Sequence, residues 1–228
     1  AARAAERYAA EQAEYQRKQA AREEQAHTSG KKPKGREPKP PTPGVRDKDQ
    51  VNLTDEESRI MPVAGGGFEQ AYNAQIAVDV DSLLIVAEYV SQHCNDKQEI
   101  VPMVAALEQL PAAVGKVDDV LADNGYYSAD NVQTCVTHGL TPYVAAGRDP
   151  HHPSLAERFA ADPLPPHDAD PVTTMKHRLR TQSGKAVYGL RKSTVEPVFG
   201  IIKSAMGYRV FLRRGLKAVS EEWTLVGI

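Results

Sequence analysis

Residues 119–144 open with Asp119-Val-Leu-Ala-Asp123-Asn-Gly-Tyr-Tyr-Ser128, and this stretch decides the fold that the sequence predicts. The apolar run before Asp123 predicts a short buried strand ending on a carboxylate, and the Asn-Gly pair predicts a turn. Ser128 is a suitable N-cap for a helix that extends to about Val136, and residues 140–144 form the next strand. A strand, a helix and a strand in this order predict an α/β fold.

The preceding residues add a hairpin and a helix. Two apolar runs, 68–79 and 83–90, are separated by a short polar turn, which predicts an antiparallel pair of strands. Asn95 and Asp96 can cap a helix over 97–110, whose apolar residues recur at helical spacing. We therefore expect a mixed sheet with helices packed against its faces.

The domain organisation follows from composition. Residues 1–26 are rich in Ala, Glu, Gln and Arg and predict an exposed helix, and residues 27–50 form a basic, proline-rich linker that cannot build a core. Residues 51–228 carry the predicted folded domain. Because Ala1 lies within a helical pattern and is not Met, we expect the sequence to be an interior piece of a longer protein.

Charge is strongly segregated although the formal net charge is only -2. The stretch 173–217 holds eleven Lys or Arg residues and one acid, Glu196, whereas 79–170 holds fifteen acids and four bases. This division favours metal-binding carboxylates next to an anion-binding surface, and segregated solvated faces would give the same composition. Two cysteines fit a reducing cytosol, and no apolar run is long enough to span a bilayer.

The basic stretch predicts helices over 175–181 and 185–206. Pro197 lies inside the second helix and predicts a kink or a new helix start capped by Ser193 or Thr194. Glu196 and Lys203 are two helical turns apart and therefore face the same way. A carboxylate with cations on the same side suits metal-assisted phosphoryl transfer, although Glu196 in a surface ion pair is an equally simple reading.

At this point the motifs resemble a known family. The sequence Tyr188-x-x-Arg191, then Glu196 and Lys203, is similar to the Tyr-Arg-Glu-Lys signature of DDE transposases from bacterial insertion sequences. Val120-Leu-Ala-Asp123-Asn-Gly-Tyr-Tyr resembles the segment with the second catalytic Asp of that family, and 52–61 and 68–79 resemble its run into the second strand. The likeness extends from about Val51 to the end.

The resemblance implies a fold, a reaction and roles for residues. It implies a ribonuclease-H-like α/β fold, with Asp123 and Glu196 as the second and third catalytic carboxylates that bind Mg²⁺ or Mn²⁺, two ions in all. It implies cleavage and strand transfer of double-stranded transposon-end DNA by a homodimer in a synaptic complex, in the bacterial cytoplasm at the nucleoid. The cations expected to bind DNA, with one tyrosine, are Tyr188, Arg191, Lys192, Lys203, Arg209, Arg213 and Arg214.

Two departures from the family pattern matter. Arg191 lies five residues before Glu196, one more than usual, which leaves Lys192 in the customary position. The first catalytic Asp of the family, on its central strand, has no counterpart, and we assign it to neither Asp55 nor Asp79. The first strand is therefore expected upstream of this chain, and the chain alone is expected to be inactive while the full-length parent is the enzyme.

Three alternatives remain open from the sequence. The chain could be a transposase remnant that only binds DNA, or a metal-dependent nuclease of similar fold that hydrolyses strands without transferring them. A third reading is an α/β protein whose basic tail binds an acidic protein. The long polar segment 147–170 predicts a loop with a short helix at 155–161, and its His151-His152 pair predicts solvated side chains, not metal ligands.

Overall fold

The computed structural model describes residues 2–30, 35–47, 49–63, 65–147 and 160–228. They form two compact units, Ala1–Val51 and Asn52–Ile228, the second of mixed α/β structure. The helices of the described residues are α1 (Ala2–Ser29), α2 (Ile100–Leu107), α3 (Ala129–Thr137), α4 (Pro171–Arg178), α5 (Gln182–Gly200) and α6 (Leu216–Gly227). The strands are β1 (Arg59–Pro62), β2 (Phe68–Ala71), β3 (Asn73–Val78), β4 (Ile85–Ser91), β5 (Asp119–Ala122) and β6 (Thr141–Val144).

The first unit is a long helix with part of the proline-rich segment against it. The Arg7 guanidinium forms an ion pair with Asp49 and donates to the Gly44 carbonyl at 2.6 Å. Arg46 forms a second ion pair, with Glu11 of α1. Because the proline-rich chain has no apolar stripe of its own, these charge-assisted hydrogen bonds hold its C-terminal part to the helix.

The predicted hairpin is confirmed for β3 and β4, whereas 68–71, predicted as the start of the same strand, forms β2 of a second hairpin. Strands β3 and β4 pair antiparallel from Asn73 opposite Ser91 to Val78 opposite Ile85. Strand β1, at 59–62, pairs antiparallel with β2. Residues 59–62, which carry no clear strand pattern in the sequence, therefore form a strand. The turn between β1 and β2 contains Gly65, Gly66 and Gly67, all with φ above 90°, a conformation that L side chains rarely adopt.

The strand–helix–strand prediction over 119–144 is also confirmed. Strands β5 and β6 are parallel, with Asp119 opposite Thr141, and α3 connects them. The Ser128 hydroxyl accepts a hydrogen bond from the Asn131 amide at 3.0 Å and caps α3 as predicted. The single mixed sheet is not present in the described residues, whose strands form three separate two-stranded sheets.

Helices cover both faces of the β3–β4 pair. Tyr89 and Ser91 of β4 direct their hydroxyls to Glu99, at the start of α2, whereas Val90 between them packs with Val198 of α5 and Trp223 of α6. Neighbouring residues of a strand point to opposite faces. Helix α2 therefore lies on one face, and α5 and α6 lie on the other. Trp223 is 4% exposed and lies in the core on this second face.

The basic helix differs from its prediction at Pro197. Helix α5 begins at Gln182, capped by Thr181, and continues through Pro197 to Gly200, where a π-helical turn over 201–205 follows. The prediction of a fresh start at Ser193 or Thr194 is wrong, because Thr194 lies inside the helix with its hydroxyl donating to the Leu190 carbonyl at 2.6 Å. Burial of Val198 and Ile202 stabilises the helix past the proline.

The two predictions made within the segment 147–170 cannot be compared with the structure along their whole length. The predicted helix at 155–161 and the His151-His152 pair lie mostly or wholly outside the described residues, which resume at 160. In the described chain, none of the helices combines the length and the apolar composition that crossing a membrane requires.

Candidate active site

A cavity of about 1340 Å³ separates the β3–β4 pair from the β5–β6 pair. Consecutive residues of β3 and of β5 border it, and α2 and α5 supply apolar side chains to its walls. The charged residues around it include the acids Asp79, Asp96, Asp119, Asp123 and Glu196 and the cations Arg191, Lys203 and Arg209. The two carboxylates singled out by the sequence, Asp123 and Glu196, therefore border one cavity.

Asp123 follows the last residue of β5 and shapes the turn after it. Its Oδ1 accepts a hydrogen bond from the Gly125 amide at 2.7 Å, which caps a short 3₁₀ turn over 124–126. This is the turn chemistry expected of Asp before Asn-Gly, and it leaves Oδ2 without a hydrogen bond among the described residues. The carboxylate is therefore held by the backbone at the C-terminal end of a strand, where α/β proteins gather ligand sites.

Asp96 is a second carboxylate beside the turn at Gly125, and its place in the sequence predicts only a helix cap. A methyl group built on Gly125 would lie 2.9 Å from Asp123 Oδ1 and 3.2 Å from Asp96 Oδ2, so these oxygens are within about 6 Å, the sum of the two distances. Asp96 Oδ1 accepts from Asn73 at 2.9 Å and from Gln75 at 3.0 Å. No sequence spacing could reveal this approach, because three separate segments create it.

A buried polar network fixes the turn that carries Asp123. Tyr126 donates to Gln75 Oε1, and Asn131 donates to the carbonyls of Lys97 and Tyr126 at 2.8 and 2.7 Å. Burial, together with the negative charges of Asp96 and Asp123, raises the pKa of Tyr126 well above its ordinary value. The phenol therefore stays protonated and remains a donor, so the turn keeps its position against β3.

Glu196 lies on α5 with Arg191 as its partner. Arg191 Nη2 is 3.6 Å from Glu196 Oε1, and the Glu196 side chain is 58% exposed. The Arg191 guanidinium also lies over the Tyr188 ring, 5.9 Å from its centroid. Because Glu196 is mostly exposed and the two charged atoms are 3.6 Å apart, the ion pair contributes little to stability and leaves the carboxylate available to a ligand.

The other residues expected to bind DNA fall into two groups, according to whether they border the cavity. Lys203 and Arg209 are exposed and border the cavity, and Lys203 Nζ lies 5.1 Å from the Phe199 ring centroid. Lys192, Arg213 and Arg214 are exposed and do not border it, and Tyr188 is half-buried away from it. Of the two residues competing for the Arg position of the signature, Arg191 therefore borders the cavity and Lys192 does not.

The carboxylates at the cavity are candidate ligands for a divalent metal ion. Carboxylate oxygens are the ligands that Mg²⁺ and Mn²⁺ prefer. Within the parts of the chain that the structure describes, no group of three His, Cys, Asp or Glu side chains comes close enough together to hold a metal ion. Asp123 and Glu196 are of the right chemistry but form an incomplete ligand set.

Asp55 and Asp79, which we did not assign as the first catalytic Asp, both have structural partners. Asp79 Oδ2 accepts from the Ser82 amide and hydroxyl in the β3–β4 turn.

Asp55 accepts from the Tyr72 hydroxyl at 2.8 and 2.9 Å and from the Gly215 amide at 3.2 Å. With Glu57, which accepts from the Leu216 amide at 2.8 Å, Asp55 caps the N-terminus of α6. We call Asp55, Glu57, Tyr72 and Gly215 the α6 clasp.

The α6 clasp predicts a pH-dependent stability. Burial alone would raise the pKa of Asp55, but hydrogen bonds from Tyr72 and the Gly215 amide hold it below its ordinary value. A carboxylate with a lowered pKa stabilises the fold above its unfolded pKa of about 3.9 and loses that contribution as the pH falls through the folded value. We expect Asp55→Asn to be less stable than the parent by about 1–2 kcal/mol near pH 7, with the difference shrinking as the pH falls below the unfolded pKa of about 3.9.

Urea unfolding of the parent and of Asp55→Asn at several pH values measures this difference. Glu56→Gln removes an equal charge from the adjacent, exposed residue and is the matched control, with no expected change. A difference between parent and Asp55→Asn that stays constant down to the lowest pH would contradict the role of the ionised carboxylate.

Comparison with known families identifies the class of this domain. Residues 15–228 match the family described as the transposase DDE domain. The chain belongs to this family, whose members are transposases that act on DNA and generally use divalent metal ions. Searches of curated proteins and of solved structures each found no match.

Proposed function

We propose that the chain is the C-terminal part of the catalytic domain of a DNA transposase from a bacterial insertion sequence, of the Tyr-Arg-Glu-Lys branch. Its reaction is metal-dependent cleavage of transposon-end DNA followed by strand transfer, by in-line phosphoryl transfer. The observation that carries the proposal is that Asp123 and Glu196, separated by 73 positions of chain, border one cavity together with Arg191, Lys203 and Arg209.

Asp123 and Glu196 are proposed as two of three carboxylates that hold Mg²⁺ or Mn²⁺. When bound, a pair of such ions would stabilise the attacking and leaving oxygens of the phosphoryl transfer. The cavity between β3 and β5 supports a ribonuclease-H-like fold, because neither strand pairs across it among the described residues. In that fold a central strand carries the first catalytic Asp, which we propose lies in polypeptide outside residues 1–228.

The cations are proposed to bind the DNA backbone. Lys203 and Arg209 are the first candidates, because both are exposed at the cavity that Asp123 and Glu196 border. Arg191 is proposed to orient Glu196 and to contact a phosphate next to it. Tyr188, Lys192, Arg213 and Arg214 would extend the contact away from the cavity. The complete enzyme would act as a homodimer on two transposon ends in the bacterial cytoplasm, at the nucleoid.

Binding to duplex DNA should depend steeply on salt. Each neutralised phosphate contributes a slope of about -0.9 in a plot of log affinity against log salt, so four contacts weaken binding about a hundredfold between about 50 and 200 mM salt. Lys203→Gln and Arg209→Gln should each reduce the slope by about 0.9, whatever the DNA sequence. Fluorescence anisotropy with a labelled duplex measures both effects.

Lys18→Gln is the matched control, since it removes the same charge from α1, where Lys18 pairs with Glu14. It should leave the slope unchanged. If DNA binding by the parent chain does not change with salt, the DNA-binding proposal is wrong. If Lys203→Gln, Arg209→Gln and Lys18→Gln reduce the slope equally, DNA binds through overall positive charge and not through the cavity surface.

A further inference from the structure

Residues 207–215, between the π-helical turn and α6, form a loop with three arginines and no acid, and we call it the arginine loop. Its middle residue, Phe211, packs among three other aromatic rings. Edge-to-face contacts place its ring centroid 6.3, 6.1 and 6.0 Å from those of Tyr72, Tyr208 and Trp223. Because Trp223 is buried, these contacts fix the middle of the loop on the core.

Hydrogen bonds hold the backbone of the same loop. The Glu222 carboxylate, on α6, accepts from the amides of Leu212 and Arg213 through separate oxygens, at 2.9 Å each. The loop ends at Gly215, whose amide donates to Asp55 in the α6 clasp. The conformation of the loop is therefore set before any ligand arrives, so little conformational entropy would be lost when a ligand binds to it.

The fixed loop leaves two large aliphatic side chains in solvent. Val210 is 68% exposed and Leu212 is 80% exposed, on either side of Phe211. The cations of the loop are also exposed, one before this pair and two after it, and they are Arg209, Arg213 and Arg214. Single aliphatic side chains on a surface are ordinary. Two of them on a fixed backbone between cations suit a partner that is anionic outside and apolar within.

Duplex DNA and an anionic membrane both have this chemistry, and the observations favour DNA. Arg209 borders the cavity that Asp123 and Glu196 also border, so the arginine loop continues the surface proposed to bind DNA. The chain also belongs to a family whose members act on DNA. Architectural proteins that bend DNA insert aliphatic side chains between base steps while neighbouring cations hold the strand. Leu212 is suited to such insertion, because it is larger and more exposed than Val210.

We propose that Leu212, with Val210 beside it, inserts between two neighbouring base pairs of the bound DNA and unstacks them. The arginines of the loop contact the phosphates around that step. The inference rests on the proposed DNA binding and adds a preference to it. Unstacking costs free energy, and it costs least where the duplex is already weakened, as at a mismatched pair. The arginine loop therefore selects DNA by its deformability, without reading base edges.

Fluorescence anisotropy with two labelled duplexes tests this preference. The duplexes have the same length and sequence, except that one contains a single mismatched pair at its centre. We expect the 228-residue chain to bind the mismatched duplex about tenfold more tightly than the paired one. Leu212→Ala should remove most of this preference, because the shorter side chain buries little apolar surface between the bases. Its salt slope should equal that of the parent, since no charge is lost.

Three matched variants separate the role of Leu212 from that of its surroundings. Leu225→Ala truncates a leucine on α6 that is 75% exposed, and it should keep the preference. Arg213→Gln should reduce the salt slope by about 0.9 and also keep the preference. Val210→Ala should weaken the preference less than Leu212→Ala does. Because all four substituted side chains are exposed, urea unfolding of each variant should match the parent.

The fluorescence of 2-aminopurine, placed next to the mismatch, reports unstacking directly. It should rise when the parent chain binds, and the rise should be lost with saturating Leu212→Ala. If the signal does not rise with the parent, or if Leu212→Ala keeps the full preference for the mismatched duplex, the inference is wrong while salt-dependent DNA binding stands. If the parent shows no salt-dependent binding to either duplex, the inference and the proposed function both fail.

Vesicles that contain phosphatidylglycerol test the membrane alternative. If the parent chain binds these vesicles, and Leu212→Ala abolishes that binding while leaving the binding of both duplexes unchanged, the arginine loop docks on a membrane. That result would also overturn the inference.

Discussion

Strand transfer by a full-length protein that contains this chain is expected to fall at least about a hundredfold in Asp123→Asn and in Glu196→Gln, with binding of transposon-end DNA retained. Each substitution keeps the size of the side chain, removes its charge and replaces one accepting carboxylate oxygen with a donating amide NH2. The loss follows if both carboxylates hold the metal ions of the reaction, because a neutral amide is a much weaker ligand for a hard cation. A gel assay with labelled transposon-end DNA and Mg²⁺ separates cleavage, strand transfer and binding.

Matched substitutions show whether position or charge matters. Asp119→Asn removes a carboxylate that borders the same cavity from the start of β5, and Glu221→Gln removes an exposed one from α6. Both variants should retain activity. Full strand transfer by Asp123→Asn or by Glu196→Gln would refute the assignment. Efficient cleavage without any transfer, by the parent protein, would instead favour the nuclease over the transposase.

The largest effect on stability is expected from a single methyl group, in Gly184→Ala. A Cβ at this position would lie 1.9 Å from the Arg178 carbonyl oxygen and 2.7 Å from its carbon. Both are backbone atoms at the end of α4, so no side-chain rotation can relieve the clash. Gly184 also donates from its amide to the Thr181 hydroxyl, the cap of α5, at 3.0 Å. The turn between the helices must therefore open, at about 3 kcal/mol or more.

Gly189→Ala provides the matched control in the same helix. This glycine is exposed, and a Cβ there would meet nothing within 4 Å. Alanine lowers the entropy of the unfolded chain and favours helix, so the variant should be more stable by about 0.5–1 kcal/mol. Chemical unfolding of the three proteins measures both values. Equal stability of Gly184→Ala and the parent would mean that α4 and α5 do not meet at this turn.

Local signals in the sequence were sufficient for the elements that carry Asp123. Ser128 as a cap, the apolar run of β5 and the alternation of strand and helix each depend on neighbours within one turn, and all were confirmed. The same is true of the β3–β4 hairpin, whose two strands are joined by a short turn. Residues close in sequence determine such elements before tertiary packing acts.

The errors occurred where distant contacts override local preference. Pro197 predicts a break, yet burial of Val198 and Ile202 against the sheet continues the helix through it. Strand β1 is short, ends in Pro62 and pairs with a mostly exposed partner, so it has no clear alternation. The approach of Asp96 to Asp123 depends on Asn73, Gln75 and Asn131 from separate segments. None of these contacts leaves a local sequence signal.

The α6 clasp has a consequence for the order of events during synthesis. Its contact between Asp55 and Gly215 joins residues 160 positions apart. At a ribosomal rate of roughly 5–20 residues per second, the emerging Asp55 would wait roughly 10–30 s for its amide partner. Until then the apolar surface that Trp223 later covers stays open to solvent and to chaperones. Premature termination before Gly215 would thus leave a nascent chain prone to aggregate, however well its earlier hairpins had formed.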